Sequence, residues 1–246
     1  MIKHLAVFFV TSLLVAGCGP QTSIPAMPTA TTDFSVPVNV TQNPATEEPQ
    51  QAASSGNDEC GNSYYPVING AEWIYNGPNG QFTHSLATGD NGAFTIKVES
   101  GSDTFLIQGL CLDGGDINLV DGSGSSLTFS GSTGGSTMTT TRNEGVTLPG
   151  DIQQGDDWSQ TIGVEVTAGN QKVDATIEST FTAVDYETVT VPAGTFNALK
   201  IEQSSDMGGP NPTITTLWYV QNVGPVKTVI DVGQPIVQEL VSYSIP

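Results

Sequence analysis

The 246-residue chain predicts one antiparallel all-β domain: a single, strongly curved sheet closing as a half-barrel, barrel or sandwich, with little or no helix. Two observations predict it. From Cys60 to Pro246 short apolar-alternating runs are separated by turns of Gly, Asn, Asp and Pro, and no segment carries a sustained helical repeat of apolar residues with caps. A third observation, the composition before Cys60, sets the domain apart from what precedes it.

The chain begins Met1-Ile2-Lys3-His4, a short basic start, and Leu5 to Ala16 is apolar apart from Thr11 and Ser12. That is the length of a signal-peptide apolar region, residues 1–17 in all, and it falls short of the roughly 20 residues that span a bilayer. The run ends in Val15-Ala16-Gly17-Cys18, which resembles the lipobox read by the lipoprotein signal peptidase. The resemblance implies cleavage before Cys18, lipidation of Cys18 by an acyl group such as palmitate, and a chain held at the cell envelope, facing outside the cytoplasm. Gly19 rather than Asp follows the cysteine, which by resemblance to sorting rules favours the outer membrane where the cell has one.

Residues 18–59 hold the lipidated cysteine and then Pro, Thr, Ser, Ala, Asn and Gln with scattered acids. Such a composition cannot bury enough apolar surface to offset ordering entropy, so it reads as a disordered linker. A flexible coil of that length spans roughly 35 Å. With Cys18 occupied, Cys60 and Cys111 remain, and two cysteines in an oxidising compartment read as one disulfide.

Within the domain, residues 60–246, Phe94, Ile96 and Val98 alternate with Thr95, Lys97 and Glu99, and Ile162, Val164 and Val166 with Gly163, Glu165 and Thr167. Each run therefore has one buried and one wet face. The longest alternation, Lys172 to Ala183, slips phase near Val184, as a β-bulge would. Phe105-Leu106-Ile107 and Leu110-Cys111-Leu112 are apolar on both parities and predict a strand covered on both faces. Val173, Ile177, Phe181, Leu199, Ile201, Val237 and Val241 are expected to line the interior. Turns are expected at Asn76–Gly80, Asp90–Gly92, Asp113–Asp116, Ala168–Asn170 and Pro192–Gly194, and the Ser/Thr/Gly-rich stretch 123–141 as a weakly packed hairpin or loop.

The formal net charge is −19, and the basic residues are few, which sets nucleic acid aside as a partner. His84 is the one histidine beyond the export segment and no G-x-S-x-G is present, so nucleophilic serine catalysis has no recognisable set. Zinc lacks its four N or S ligands. The Asp113-Gly114-Gly115-Asp116 and Asp121-Gly122-Ser123-Gly124 loops offer oxygens of the kind calcium takes, but Asp and Gly are also what hairpin turns require. The reading is no cofactor, with calcium as the alternative. Trp73, Tyr75, Trp218 and Tyr219 are the candidate ligand-facing aromatics, set against a role in filling the core.

Three segments together resemble a family of secreted bacterial β-domains and lipoproteins of unassigned function. They are Cys60 with Tyr64–Val67 and Gly70–Tyr75, then Val191–Lys200, then Leu217–Tyr219 with Val223–Lys227. The resemblance implies a curved antiparallel sheet similar to the half-barrel of lipoprotein carriers and brings no catalytic residue. The function expected is that of a monomeric, noncatalytic binding or interaction module anchored to a membrane through Cys18, its ligand an unknown protein, glycan or apolar molecule. The alternative is a carrier of a hydrophobic ligand such as an acyl chain, and below it a carboxylate-based hydrolase.

Overall fold

The computed structural model describes residues 58–119, 126–130, 136–168 and 170–246. The export segment, Cys18, the linker up to residue 57 and the loop Asp121–Gly124 lie outside the described residues. Thirteen strands are found among the residues described: β1 (Glu72–Gly77), β2 (Gly80–Thr88), β3 (Ala93–Ser100), β4 (Asp103–Cys111), β5 (Ile117–Leu119), β6 (Ser126–Ser130), β7 (Ser136–Gly145), β8 (Asp157–Ala168), β9 (Gln171–Val191), β10 (Gly194–Asp206), β11 (Thr213–Val220), β12 (Gly224–Asp231) and β13 (Pro235–Ser244). Short 3-10 turns occur at Asp90–Gly92 and Asp113–Gly115.

All pairings are antiparallel, in the order β3-β2-β1-β13-β12-β11-β10-β9-β8-β7-β6-β4-β5, and β3 also pairs with β4. The path of pairings thus bends back on itself. The β4–β6 joint spans only Thr104↔Ser130 to Leu106↔Thr128, while β5 takes the far end of the same β4 edge. The result is a strongly curved sheet with one narrow joint rather than a barrel of full-length ladders.

Turn chemistry sets the hairpins. Pro78-Asn79 joins β1 to β2 between the paired Gly77 and Gly80, and Pro192-Ala193 joins β9 to β10 between Val191 and Gly194. Gly194 has φ 144°, a conformation that L side chains rarely adopt. On β9 the expected phase slip is present: Ala183 pairs with Ile201 and Asp185 with Lys200, so Val184 has no opposite residue.

Cross-strand partners share a face, which assigns the interior. Phe94, Ile96, Phe181, Ala183, Leu199, Ile201, Val226 and Leu240 are buried there. Expectations differ at Leu106, Val237, Val241 and Val173, the last 41% exposed where β9 runs on beyond β10. Leu106 is 41% exposed, because its neighbours Phe105 and Ile107 take the inner face and Leu106 points out, so β4 is covered on one side only. Val237 is 38% exposed and shares the outer face with Val229, since Ile236, Gln238 and Leu240 hold the inner positions; Val241 falls at the bulge where β13 shifts register against β1.

Candidate functional site

The concave face is occupied at one end by the chain's own N-terminal strap, residues 58–71, which buries Tyr64, Tyr65, Val67, Ile68 and Ala71. Asp58 starts it: its Oδ1 accepts the N–H groups of Cys60 (2.9 Å), Gly61 (3.1 Å) and Val67 (3.2 Å). Cys60 is disulfide-bonded to Cys111 at the end of β4. Asn62 is buried with every polar valence used, its Nδ2 donating to the carbonyls of Gly115 (2.9 Å) and Pro149 (3.1 Å) and its Oδ1 accepting from the N–H of Tyr64 and Tyr65. Tyr64 and Tyr186 share a hydroxyl–hydroxyl bond of 2.6 Å at the rim.

Behind the strap lies an aromatic layer. Tyr65 stacks on Trp73 with ring centroids 5.9 Å apart and sits 6.4 Å from Phe94. Trp73 is 1% exposed and donates its indole N–H to the Val223 carbonyl at 2.6 Å; the Tyr75 hydroxyl donates to Pro225 at 2.8 Å. Burial raises the Tyr65 and Tyr75 hydroxyls well above the ordinary phenol range and pushes Tyr219 up to about 12, so all three stay neutral. His84 pairs across the sheet with Trp73 and Val98 and packs against Tyr75 and Phe82, and burial lowers its imidazole to about 4.

The four candidate aromatics therefore do not form one platform. Trp73, Tyr75 and Tyr219 are inside, and Trp218, next in sequence to Tyr219, points to the opposite face because successive strand residues alternate. There its indole N–H donates to Glu187, and the Lys227 ammonium lies 5.8 Å from the ring centroid while pairing with Glu239 at 2.9 Å. Lys200, opposite Trp218 on β10, pairs with Glu202. Lys97, Arg142 and Lys172 are likewise matched to carboxylates, so the outer face offers no unpaired cation for an anionic ligand among the described residues.

Farther along the same inner face, past Phe181 and Trp158, whose rings stack in parallel, the lining changes. Ser179 and Ser205 share a 2.8 Å hydrogen bond and Gln203 donates to Ser205 at 2.9 Å. Next come Ile177, Ala175 and Val173 on β9 and Ile162 and Val166 on β8, partly exposed except Val173, which is 41% exposed; β10 ends opposite Glu178 and leaves that stretch of β9 paired only with β8. A polar inward band would not have been found from the hydrophobic alternation, because Ser179 and Gln203 occupy positions the pattern assigns to apolar residues. No group of three or more His, Cys, Asp or Glu side chains able to hold a metal is present among the described residues; Asp116 accepts the Gly150 N–H at 2.8 Å.

A DUF3108-like family model matches residues 131–229, which include the Val191–Lys200 and Leu217–Lys227 segments but not Cys60–Tyr75. Among solved structures, the chain is similar to a Bacteroides fragilis protein described as exported with a YmcC-like fold (15% identity, TM-score 0.43, 74% of this chain and 99% of that one). It is similar also to a protein described as a lipoprotein from Parabacteroides distasonis (13%, 0.39, 74% and 99%) and to the hypothetical lipoprotein YmcC of Escherichia coli (13%, 0.40, 76% and 90%). No curated protein matches the chain.

Proposed function

We propose that the chain is an exported lipoprotein, anchored through lipid on Cys18, whose linker holds the all-β domain away from the membrane as a noncatalytic binding or interaction module. The Val15-Ala16-Gly17-Cys18 motif after a short apolar run supports the anchor. One structural observation supports the display role: residues 58–71 occupy one end of the concave face and are fixed there by Asn62 and the Cys60–Cys111 bridge. A concave end closed by the chain itself supports contact with a partner through the rest of the surface.

A second reading, a carrier of an acyl chain, is favoured by the other end of the same face, where Ile162, Val166 and Ile177 are partly exposed beside the Ser179–Ser205 pair. Titration of the domain with a fluorescent fatty acid separates the two. The display reading expects no saturable binding tighter than millimolar, the range of weak nonspecific contact. Micromolar, saturable binding that is lost in Ile177→Asp with the fold intact establishes the carrier instead. Lipid-modified mass that persists in Cys18→Ser overturns the anchor.

A further inference from the structure

We infer that the Cys60–Cys111 disulfide is a mechanical clasp: it diverts tension arriving along the tether into β4 and prevents residues 61–71 from being peeled out of the concave face. The inference rests on the reading that the chain is tethered through its N-terminal segment. Its basis is the order of fixtures along the chain. The first fixture among the described residues is Asp58, and the covalent crosslink follows two residues later.

Without the crosslink, a pull on residue 60 would act first on the strap, which forms no strand and pairs with no ladder. It is held to the sheet by separate bonds: the two that the Asn62 amide donates to the Gly115 and Pro149 carbonyls, the Ser63 carbonyl accepting from the Asn222 N–H at 2.8 Å, the Tyr64–Tyr186 contact, the Asn69 oxygen accepting from the Thr88 N–H at 3.2 Å, and the Leu86 backbone accepting from Gly70 and donating to Ala71, each at 2.9 Å. Arranged in series, such bonds break one after another. The pull would then reach Glu72, which sits in the terminal rungs of β1 with both β2 (Ser85) and β13 (Ser244), where a ladder opens rung by rung. With the crosslink, tension passes from Cys60 through sulfur to Cys111, and residues 61–71 carry none of it. Cys111 lies in β4, which is paired with β3 from Leu110 to Asp103 and with β5 through Cys111↔Ile117.

The test is single-molecule force extension of the chain from residue 18 onward, with a thioether handle on unlipidated Cys18 and a second handle replacing Gln234 in the exposed β12–β13 turn. The same molecule is stretched before and after dithiothreitol. Before reduction only smooth stretching of the linker, with no separate step, should precede unfolding of the sheet. After it, a separate step of up to about 40 Å should appear at lower force, the length of roughly 12 residues drawn straight less what they already span in the fold. The Cys60→Ser/Cys111→Ser variant should show that step from the start. A step already present with the bridge intact, or unfolding in one event with and without it, overturns the inference. Neither result depends on lipid at Cys18, so failure of the anchor is read separately, from the mass of the exported protein.

Discussion

Trp73 and Val223, 150 residues apart in the chain, are joined by an indole N–H to carbonyl hydrogen bond of 2.6 Å inside the aromatic layer. The bond ties β1 to the turn that opens β12, and the Trp73 ring also supports Tyr65 of the strap. Trp73→Phe keeps most of the ring but removes the donor. It should cost about 1–3 kcal/mol, the usual penalty for a buried acceptor left without its partner, read as a lower urea midpoint with an unchanged slope. An unaltered midpoint would show that the bond contributes nothing net.

Asn62 makes a sharper case, because its amide is buried and all four of its bonds are to backbone. Asn62→Asp is nearly isosteric, yet it replaces two donated bonds with a carboxylate oxygen facing the Gly115 and Pro149 carbonyls. A destabilisation of at least about 3 kcal/mol is expected, one desolvation penalty for each orphaned carbonyl plus the buried charge. Hydrogen exchange should rise first at Tyr64 and Tyr65, whose amides bond to the same side chain. Uniform loss of protection across all strands would argue instead that the strap has no separate stability.

The sheet was legible in the sequence because alternation reports a face directly: Phe94, Ile96 and Val98 are buried as expected, and the slip at Val184 is a true register shift. Alternation fails where apolar residues stand on both parities, as at Leu106, or where adjacent apolar residues straddle a strand, as at Ile236 and Val237. The strap's start at Cys60 and its bridge to Cys111 were legible, but its burial was not. Its residues Tyr64, Tyr65, Val67 and Ile68 have neither strand nor helix period, and their burial is decided by bonds from Asn62 to residues 53 and 87 positions away. Trp218 and Tyr219, neighbours in one strand, lie on opposite faces as alternation requires, so the four candidate aromatics could not share one platform.

On the outer face the energetics should be mild. Lys227 contacts both Glu239 and the Trp218 ring, and each interaction is partly exposed to water. Lys227→Ala should cost no more than about 1 kcal/mol, less at high salt, since exposed ion pairs and cation–π contacts each contribute a fraction of that. A double-mutant cycle with Glu239→Ala measures the pair, and a coupling above about 2 kcal/mol would contradict it.

His84 gives the domain a pH dependence whose sign follows from burial. Packed against Tyr75 and Phe82, its imidazole is lowered from 6.5 to about 4. In the unfolded chain it takes up a proton as pH falls through 6.5, whereas in the folded domain it stays neutral until about 4. Between those values the unfolded state binds more protons, so stability rises with pH across the window. The contribution is fully present above the unfolded value and lost as pH drops toward the folded one. The shift alone corresponds to roughly 3 kcal/mol at most, and because the side chain retains some contact with solvent a change of about 1–2 kcal/mol is expected. Carboxylates titrate in the lower part of the same range, so the informative quantity is the difference between the wild-type chain and His84→Phe, in which they cancel. Urea denaturation at intervals from pH 4.5 to 7 should show the wild type losing stability relative to the variant as the solution is acidified. Parallel curves would mean that His84 is protonated as readily in the fold as out of it, and that the aromatic layer around it admits water.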